Sequence, residues 1–315
     1  MLVFVPFTWV LSEDLLHESL DDAWWTGPLL AASPATLPQG HILVEPYLYD
    51  GIVNEQFDSS GARREIARQN NYGSLTYLLY GLTDSMTIGL IPRLGYDNPG
   101  QGSTVGIGDI TAQASFRLAR YVDQGWLPAM SLVIGETFPT GRYDRLSSPS
   151  NGIGAGSYTT TLSLYAQYYL WMPNGRILRN RINISEAWSS RADIEDASVY
   201  GTGQGFRGYA IPGNSFTIDS AFEYSATRNW VAALDIVYSE SGSTGVVGQY
   251  VLPNGGSIIK IVESTSGSAN SISLAPAIEY NWTSTLGLIV GAKIVVTGRN
   301  TGAAVIPVAA VNLVF

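Results

Sequence analysis

The chain has 315 residues, 17 of them Lys or Arg against 26 Asp or Glu, and contains no cysteine. A formal charge of −9 lacks the basic footprint that nucleic acid requires, and disulfides and thiolate metal sites are excluded outright. Charged residues make up 14%, well below the roughly 25% of soluble domains, yet no run of apolar residues is long enough for a membrane helix.

Residues 1–11, MLVFVPFTWVL, have the apolar core of a signal peptide, but no positive charge precedes it and Ser12-Glu13-Asp14 stands where a small-residue cleavage site belongs. A degenerate signal and a displaced start codon both account for this. Residues 13–25 are predicted to form a short helix with Leu15, Leu16 and Leu20 on one side. Pro28, Pro34 and Pro38 then hold the chain extended up to Gly40. Residues 1–38 are thus a leader that either plugs a lumen or hangs free, and residues 39–315 are the structured domain.

From His41 on, turn residues divide the chain into twelve alternating runs: 41–51, 72–82, 85–96, 107–119, 128–139, 157–170, 176–188, 214–226, 229–241, 270–281, 285–298 and 303–315. The last two are the clearest. Leu286, Leu288, Val290, Ala292, Ile294 and Val296 form an apolar row opposite Gly287, Ile289, Gly291, Lys293, Val295 and Thr297, and the final run ends on Phe315. Runs this long, with one greasy and one mixed face, suit strands that cross a bilayer at a tilt. Gaps between runs alternate long and short, with only the last failing to be long, as outer loops and periplasmic turns do in a bacterial barrel. The fold predicted is all-β, a transmembrane antiparallel β-barrel of twelve strands. Residues 248–262 read as a hairpin around Leu252-Pro253-Asn254-Gly255-Gly256 in an outer loop; if its arms extend, the count becomes fourteen.

Trp126, Trp171, Trp230 and Trp282 lie in or beside short gaps and are expected to form a periplasmic aromatic girdle. Tyr49, Tyr72, Tyr96, Tyr158 and Tyr238 flank long gaps and supply the opposite ring. Alternation turns Glu45, Arg93, Asp109, Gln113, Arg117, Arg179, Arg181, Asp219, Glu223, Asp235, Glu279 and Lys293 into the lumen. Glu136 is placed there too, because a lipid-facing charge is costly near the midplane. Arg179 and Arg181 are expected to face Asp219, Glu223 and Asp235 across neighbouring strands, and Arg181→Glu to shift ion preference toward cations. These residues either brace the lumen as a salt-bridge network or line a polar path for solutes.

Five short motifs recur in order: Trp24-Trp25-Thr26-Gly27-Pro28, Leu37-Pro38-Gln39-Gly40, Val44-Glu45-Pro46-Tyr47, Gly108-Asp109 and Phe138-Pro139-Thr140-Gly141. On them the chain, from about residue 24 to its end, resembles the outer-membrane proteins grouped under the meta-pathway of phenol degradation and labelled as transporters. The resemblance implies a barrel carrying small, aromatic or hydrophobic solutes, and supplies no catalytic positions.

Catalysis has little to work with. A Ser-His barrel hydrolase needs a base near its nucleophile, and His17 and His41 both lie at the N-terminal edge. No enzyme activity, cofactor or metal is expected. The glycines of 106–108 and 152–156 open no helix and read as turn glycines rather than phosphate loops. Asp58, Asp97 and Asp144 are either solvated loop charges or cation bridges to lipopolysaccharide. The expected location is the bacterial outer membrane, with membrane lipid and lipopolysaccharide around the wall, the barrel assembly machinery engaging Phe315, and a small-molecule solute inside. A structural or surface-binding barrel with a closed lumen is the alternative, with a lipid-modifying enzyme behind it.

Overall fold

Period-two alternation becomes eighteen strands in a computed structural model that describes residues 17–97, 104–122, 125–251 and 258–315. They are β1 (Ile42–Phe57), β2 (Arg63–Thr83), β3 (Met86–Ile91), β4 (Arg93–Asp97), β5 (Thr104–Ile107), β6 (Ile110–Ala119), β7 (Ala129–Phe138), β8 (Thr159–Trp171) and β9 (Ile177–Ser189). The remainder are β10 (Ala192–Glu195), β11 (Phe206–Ile211), β12 (Ser215–Ser225), β13 (Trp230–Ser241), β14 (Gly245–Val251), β15 (Ile258–Thr265), β16 (Ala269–Thr283), β17 (Leu286–Arg299) and β18 (Thr301–Val314).

Strands β3 and β4 both pair with β2 and are one wall strand interrupted at Pro92, which has no N–H to donate. Strands β5 and β6 are likewise interrupted at Gly108-Asp109. Counted so, the wall has twelve antiparallel strands in chain order, and β1 closes it by pairing with both β2 and β18. At the seam Ile42 and Phe315 exchange backbone hydrogen bonds of 3.1 and 2.9 Å.

The extra strands lie beyond the wall. In a separate sheet, β10, β11, β14 and β15 pair in the same order as β9, β12, β13 and β16, the wall strands they continue. The 248–262 hairpin therefore belongs to this outer sheet and the barrel count is twelve; its turn, 252–257, lies outside the described residues. Strands β1 and β2 also outrun their expected ends, pairing out to Phe57 and Arg63. Sequence alternation stops short there because a ribbon with water on both faces needs no apolar row.

Every wall strand exposes at least one large apolar side chain by more than a third: Leu48, Leu78, Leu90, Leu118, Ile134, Leu162, Ile182, Phe222, Leu234, Ile278, Val290 and Val305. A belt of this extent far exceeds the apolar patches of soluble monomers and suits the lipid face of a membrane barrel. Inward positions on the same strands are buried and include both small residues and charges, such as Ala275, Ala277, Arg179 and Glu279. Both ends of the barrel-forming chain, Ile42 and Phe315, sit at the rim with the short turns.

Candidate functional site

The inner wall is contacted by the residues that precede β1. Residues 13–25 are not a helix where they are described: only a 3-10 turn, Leu20–Asp22, forms there. Side chains of the barrel compete for this backbone instead. The Glu18 carboxylate accepts from Arg176 and from the Ser225 hydroxyl, each at 2.7 Å, and the Trp171 indole N–H donates to the Glu18 carbonyl at 2.9 Å. Residues 13–16, and the apolar run 1–11, lie outside the described residues.

The Trp24–Pro28 motif then meets two inward carboxylates. Glu279 Oε2 accepts the N–H groups of Thr26 (2.8 Å) and Gly27 (3.1 Å). Asp235 accepts those of Leu29, Leu30 and Ala31 at 2.9–3.2 Å. Two inward acid side chains thus answer five backbone N–H groups that no strand or helix satisfies. Trp25 lies under the Arg179 guanidinium, 4.3 Å from it, and Trp24 under that of Arg228 at 4.5 Å. Gly27 has φ of +127°, and a Cβ there would sit 3.3 Å from Arg181 Nη1. Leu29, 1% exposed, packs into a niche made by Ala233, Ala275, Ala277 and Ala310 with Ile289 and Val308. Small inward residues on β13, β16 and β18 leave that room.

Arg179 forms a two-pronged pair with Glu223, with Nε to Oε2 at 2.7 Å, and Arg181 approaches the same carboxylate at 3.5 Å. Arg181 also donates to Gln167 Oε1 (2.9 Å) and to the Ala31 carbonyl (2.8 Å). The expected two-arginine, three-carboxylate patch is thus only partly formed. Glu223 takes both arginines, Asp235 binds backbone N–H groups, and Asp219 Oδ1 has no hydrogen-bond partner among the described residues. Nothing local in the sequence pairs residue 29 with residue 235, so the competing donors were invisible there.

Between this segment and the opposite wall lies a cavity of about 160 Å³. Thr26, Leu30, Ala31 and Leu37 form one side; Leu43, Glu45 and Tyr47 of β1, Tyr77 and Leu79 of β2, Gln113 and Ser115 of β6, Tyr165 of β8 and Asn312 of β18 form the other. Tyr47 and Tyr77 meet edge to face at 5.8 Å, and Asn312 Nδ2 donates to Glu45 Oε1 at 3.2 Å. Leaving the cavity, Thr36 accepts from Arg117, Leu37 N–H bonds Thr87, and Gln39 N–H bonds Asp84 at the short-turn rim.

At the long-loop end Asp109 joins two stretches of the β7–β8 loop, accepting from Gly141 N–H (2.9 Å) and Ala155 N–H (2.7 Å). Thr140 completes the junction, its hydroxyl donating to the Gly108 carbonyl at 2.8 Å. The Gly108-Asp109 and Phe138–Gly141 motifs therefore contact one another. A Cβ on Gly154 would lie 2.7 Å from Asp109 Oδ1, so the loop can pass only as glycine. Ile153 sits over Gly95 and Gly106, the paired glycines of β4 and β5. Residues 143–146 bond residues 195–199 of the next loop, joining the two into a roof.

Other expected positions are placed as follows. Arg93 pairs with Leu75, on the inward row of Tyr77 and Leu79, and the Lys293 charge acts on Asp219 and Asp235. Glu136 is corrected: it pairs with Ala112 on the outward row of Ile134 and accepts from Thr160 at 2.6 Å. It lies two residues from the outer end of β7, away from the midplane where burial of charge is costly. Trp126, Trp230 and Trp282 are exposed by 86%, 49% and 49%. Trp171 departs from them, since it shares the inward row of Gln167 and Tyr169, stacks on His17 and bonds Glu18. Asp58 organises the β1–β2 turn: hydrogen bonds from Ser60, the Ala62 N–H and Arg64 hold it well below the usual carboxylate range. Asp144 accepts from the Glu195 N–H, while the Asp97 and Tyr96 side chains lie outside the described residues.

No protein-family description matches the chain, and no curated protein does. Among solved structures, the COG4313 outer membrane channel from Pseudomonas putida F1 aligns with a TM-score of 0.69 at 15% identity, over 90% of this chain and 98% of that one. The fold is therefore that of a twelve-stranded outer-membrane-type barrel. Two further matches are looser and support no inference. They are a TodX monoaromatic hydrocarbon channel mutant (TM-score 0.38, 11% identity, 95% and 97% covered) and the Ralstonia pickettii toluene transporter TbuX (0.35, 8%, 93% and 95%).

Proposed function

We propose that the protein is an outer-membrane channel for small hydrophobic or aromatic solutes, with the residues before β1 acting as a plug. The observation that carries this reading is the cavity of about 160 Å³ between that segment and a wall that includes tyrosines and leucines. A space of that size admits a single ring. The apolar outer belt and the likeness to a structure described as an outer membrane channel support the membrane placement. Membership of the group named for the meta-pathway of phenol degradation is part of the proposal and rests on the five motifs. The short-turn rim then faces the periplasm, Phe315 engages the barrel assembly machinery, and lipid and lipopolysaccharide surround the wall.

The roof at one end and the bound segment at the other favour the second reading, a structural or surface-binding barrel with a closed lumen. Uptake separates the two. Intact cells expressing the protein should take up a radiolabelled single-ring aromatic several-fold faster than cells lacking it. Equal rates, with the protein folded in the membrane, leave the closed barrel as the better account.

A further inference from the structure

We propose that the cavity selects neutral single-ring compounds that carry a hydrogen-bond donor, with the Glu45 carboxyl, positioned by Asn312, as the group that reads the donor. The proposal rests on the channel reading above and names the class of solute that the channel takes.

Three observations lead to it. First, size: a cavity of about 150 Å³ lined by aliphatic and aromatic side chains suffices for benzene, and this one is about 160 Å³. One substituted ring therefore fits. Second, the walls are divided in character. Tyr47, Tyr77 and Tyr165 present ring surface, while Glu45 and Asn312 stand together on the neighbouring strands β1 and β18. Asn312 donates to Glu45 Oε1, which holds the carboxyl in place while Glu45 still contributes to the lining. A carboxyl oxygen accepts a hydrogen bond in either protonation state. A hydroxyl or amino group on a bound ring can therefore add to the bonds that Asn312 and Tyr47 already give this carboxyl, whereas a plain hydrocarbon leaves its remaining acceptor sites unused.

Third, the nearby cation is already engaged. Arg181 lines the cavity, but its guanidinium donates to Gln167 and to the Ala31 carbonyl and lies beside Glu223. A ring carboxylate would meet the Glu45 carboxyl, while Arg181 already gives donors to Gln167 and the Ala31 carbonyl. Ring acids are thereby disfavoured, and neutral phenol-like or aniline-like molecules are left as the fitting class.

The test uses the purified full-length protein in detergent micelles and fluorine NMR, titrating 4-fluorophenol, 4-fluorotoluene and 4-fluorobenzoate, with empty micelles subtracting partition. The phenol should bind wild-type protein at least about tenfold more tightly than the other two, the scale of one unmade hydrogen bond of about 1.4 kcal/mol. Glu45→Leu should remove that preference by weakening the phenol alone, and Asn312→Leu should reduce it. The two variants are checked for folding by their shift on a gel before and after boiling, so failure of one to fold leaves the other informative. Equal binding of phenol and toluene, or a preference that survives both substitutions, overturns the proposal. If uptake of aromatics by intact cells persists in that case, the channel reading stands without it. If no compound binds and expression does not change uptake, both fall.

Discussion

Gly27 and Asp109 show how single residues hold the two ends of this lumen. At Gly27 the backbone has φ of +127°, a region that costs any other residue about 1–3 kcal/mol. Gly27→Ala should therefore loosen residues 24–31 without disturbing the barrel, seen as faster protease cleavage of that stretch in a protein whose gel mobility before boiling is unchanged. Asp109→Ala removes the acceptor for two loop N–H groups, at a cost of about 1–3 kcal/mol for each group left unanswered. Hydrogen exchange should rise at Gly141 and Ala155 and stay constant in β12 and β13; uniform exchange across all of them would mean that Asp109 is not the junction. Glu136 shows where residue-level reading fails. Its inward placement followed from the cost of charge at the midplane, but two residues from the strand end that cost is small, and Thr160 meets the carboxylate.

The strands were legible and the segment before them was not, for a physical reason. Alternation in residues 286–296 is a local signal, and the folded strand keeps it: Ile289 and Val295 are buried while Val290 and Val296 are exposed. Residues 24–38 carry no such period. Their order comes from side chains far away in the chain, from Thr87 on Leu37 to Glu279 on Thr26. The motif Trp24–Pro28 could be noticed, but its partners could not. Deleting residues 1–38 should raise single-channel conductance, since it vacates the alanine niche and the inner side of the cavity. It also leaves Asp235 and Glu279 without five N–H partners, so the enlarged pore should prefer cations, measurable as a reversal potential across a salt gradient. Arg181→Glu should move selectivity the same way, with part of the change arising from loss of its bond to the Ala31 carbonyl. An anion-selective truncated pore would contradict this account of the lumen charges.

At the scale of the whole molecule, closure depends on the two ends of the barrel chain finding each other. Phe315, 69% exposed, follows β18 at the seam and exchanges backbone hydrogen bonds with Ile42. Phe315→Ser keeps those backbone groups but removes the exposed ring, so the folded barrel should remain heat-modifiable on a gel. Its rate of appearance in cells should fall, as pulse-labelling would show. Normal kinetics would assign the ring no part in assembly.

Among the described residues, the bound segment is anchored at Glu18, on the β8–β9 turn, and at Gln39 and Gly40, on the β2–β3 turn. Both anchorages lie on one rim, so the intervening residues form an arch that goes in and comes back through the same mouth. An arch of that kind can leave without a single rung of the barrel ladder breaking. Its departure would be a local event on a wall that stays intact, reversible by the same route.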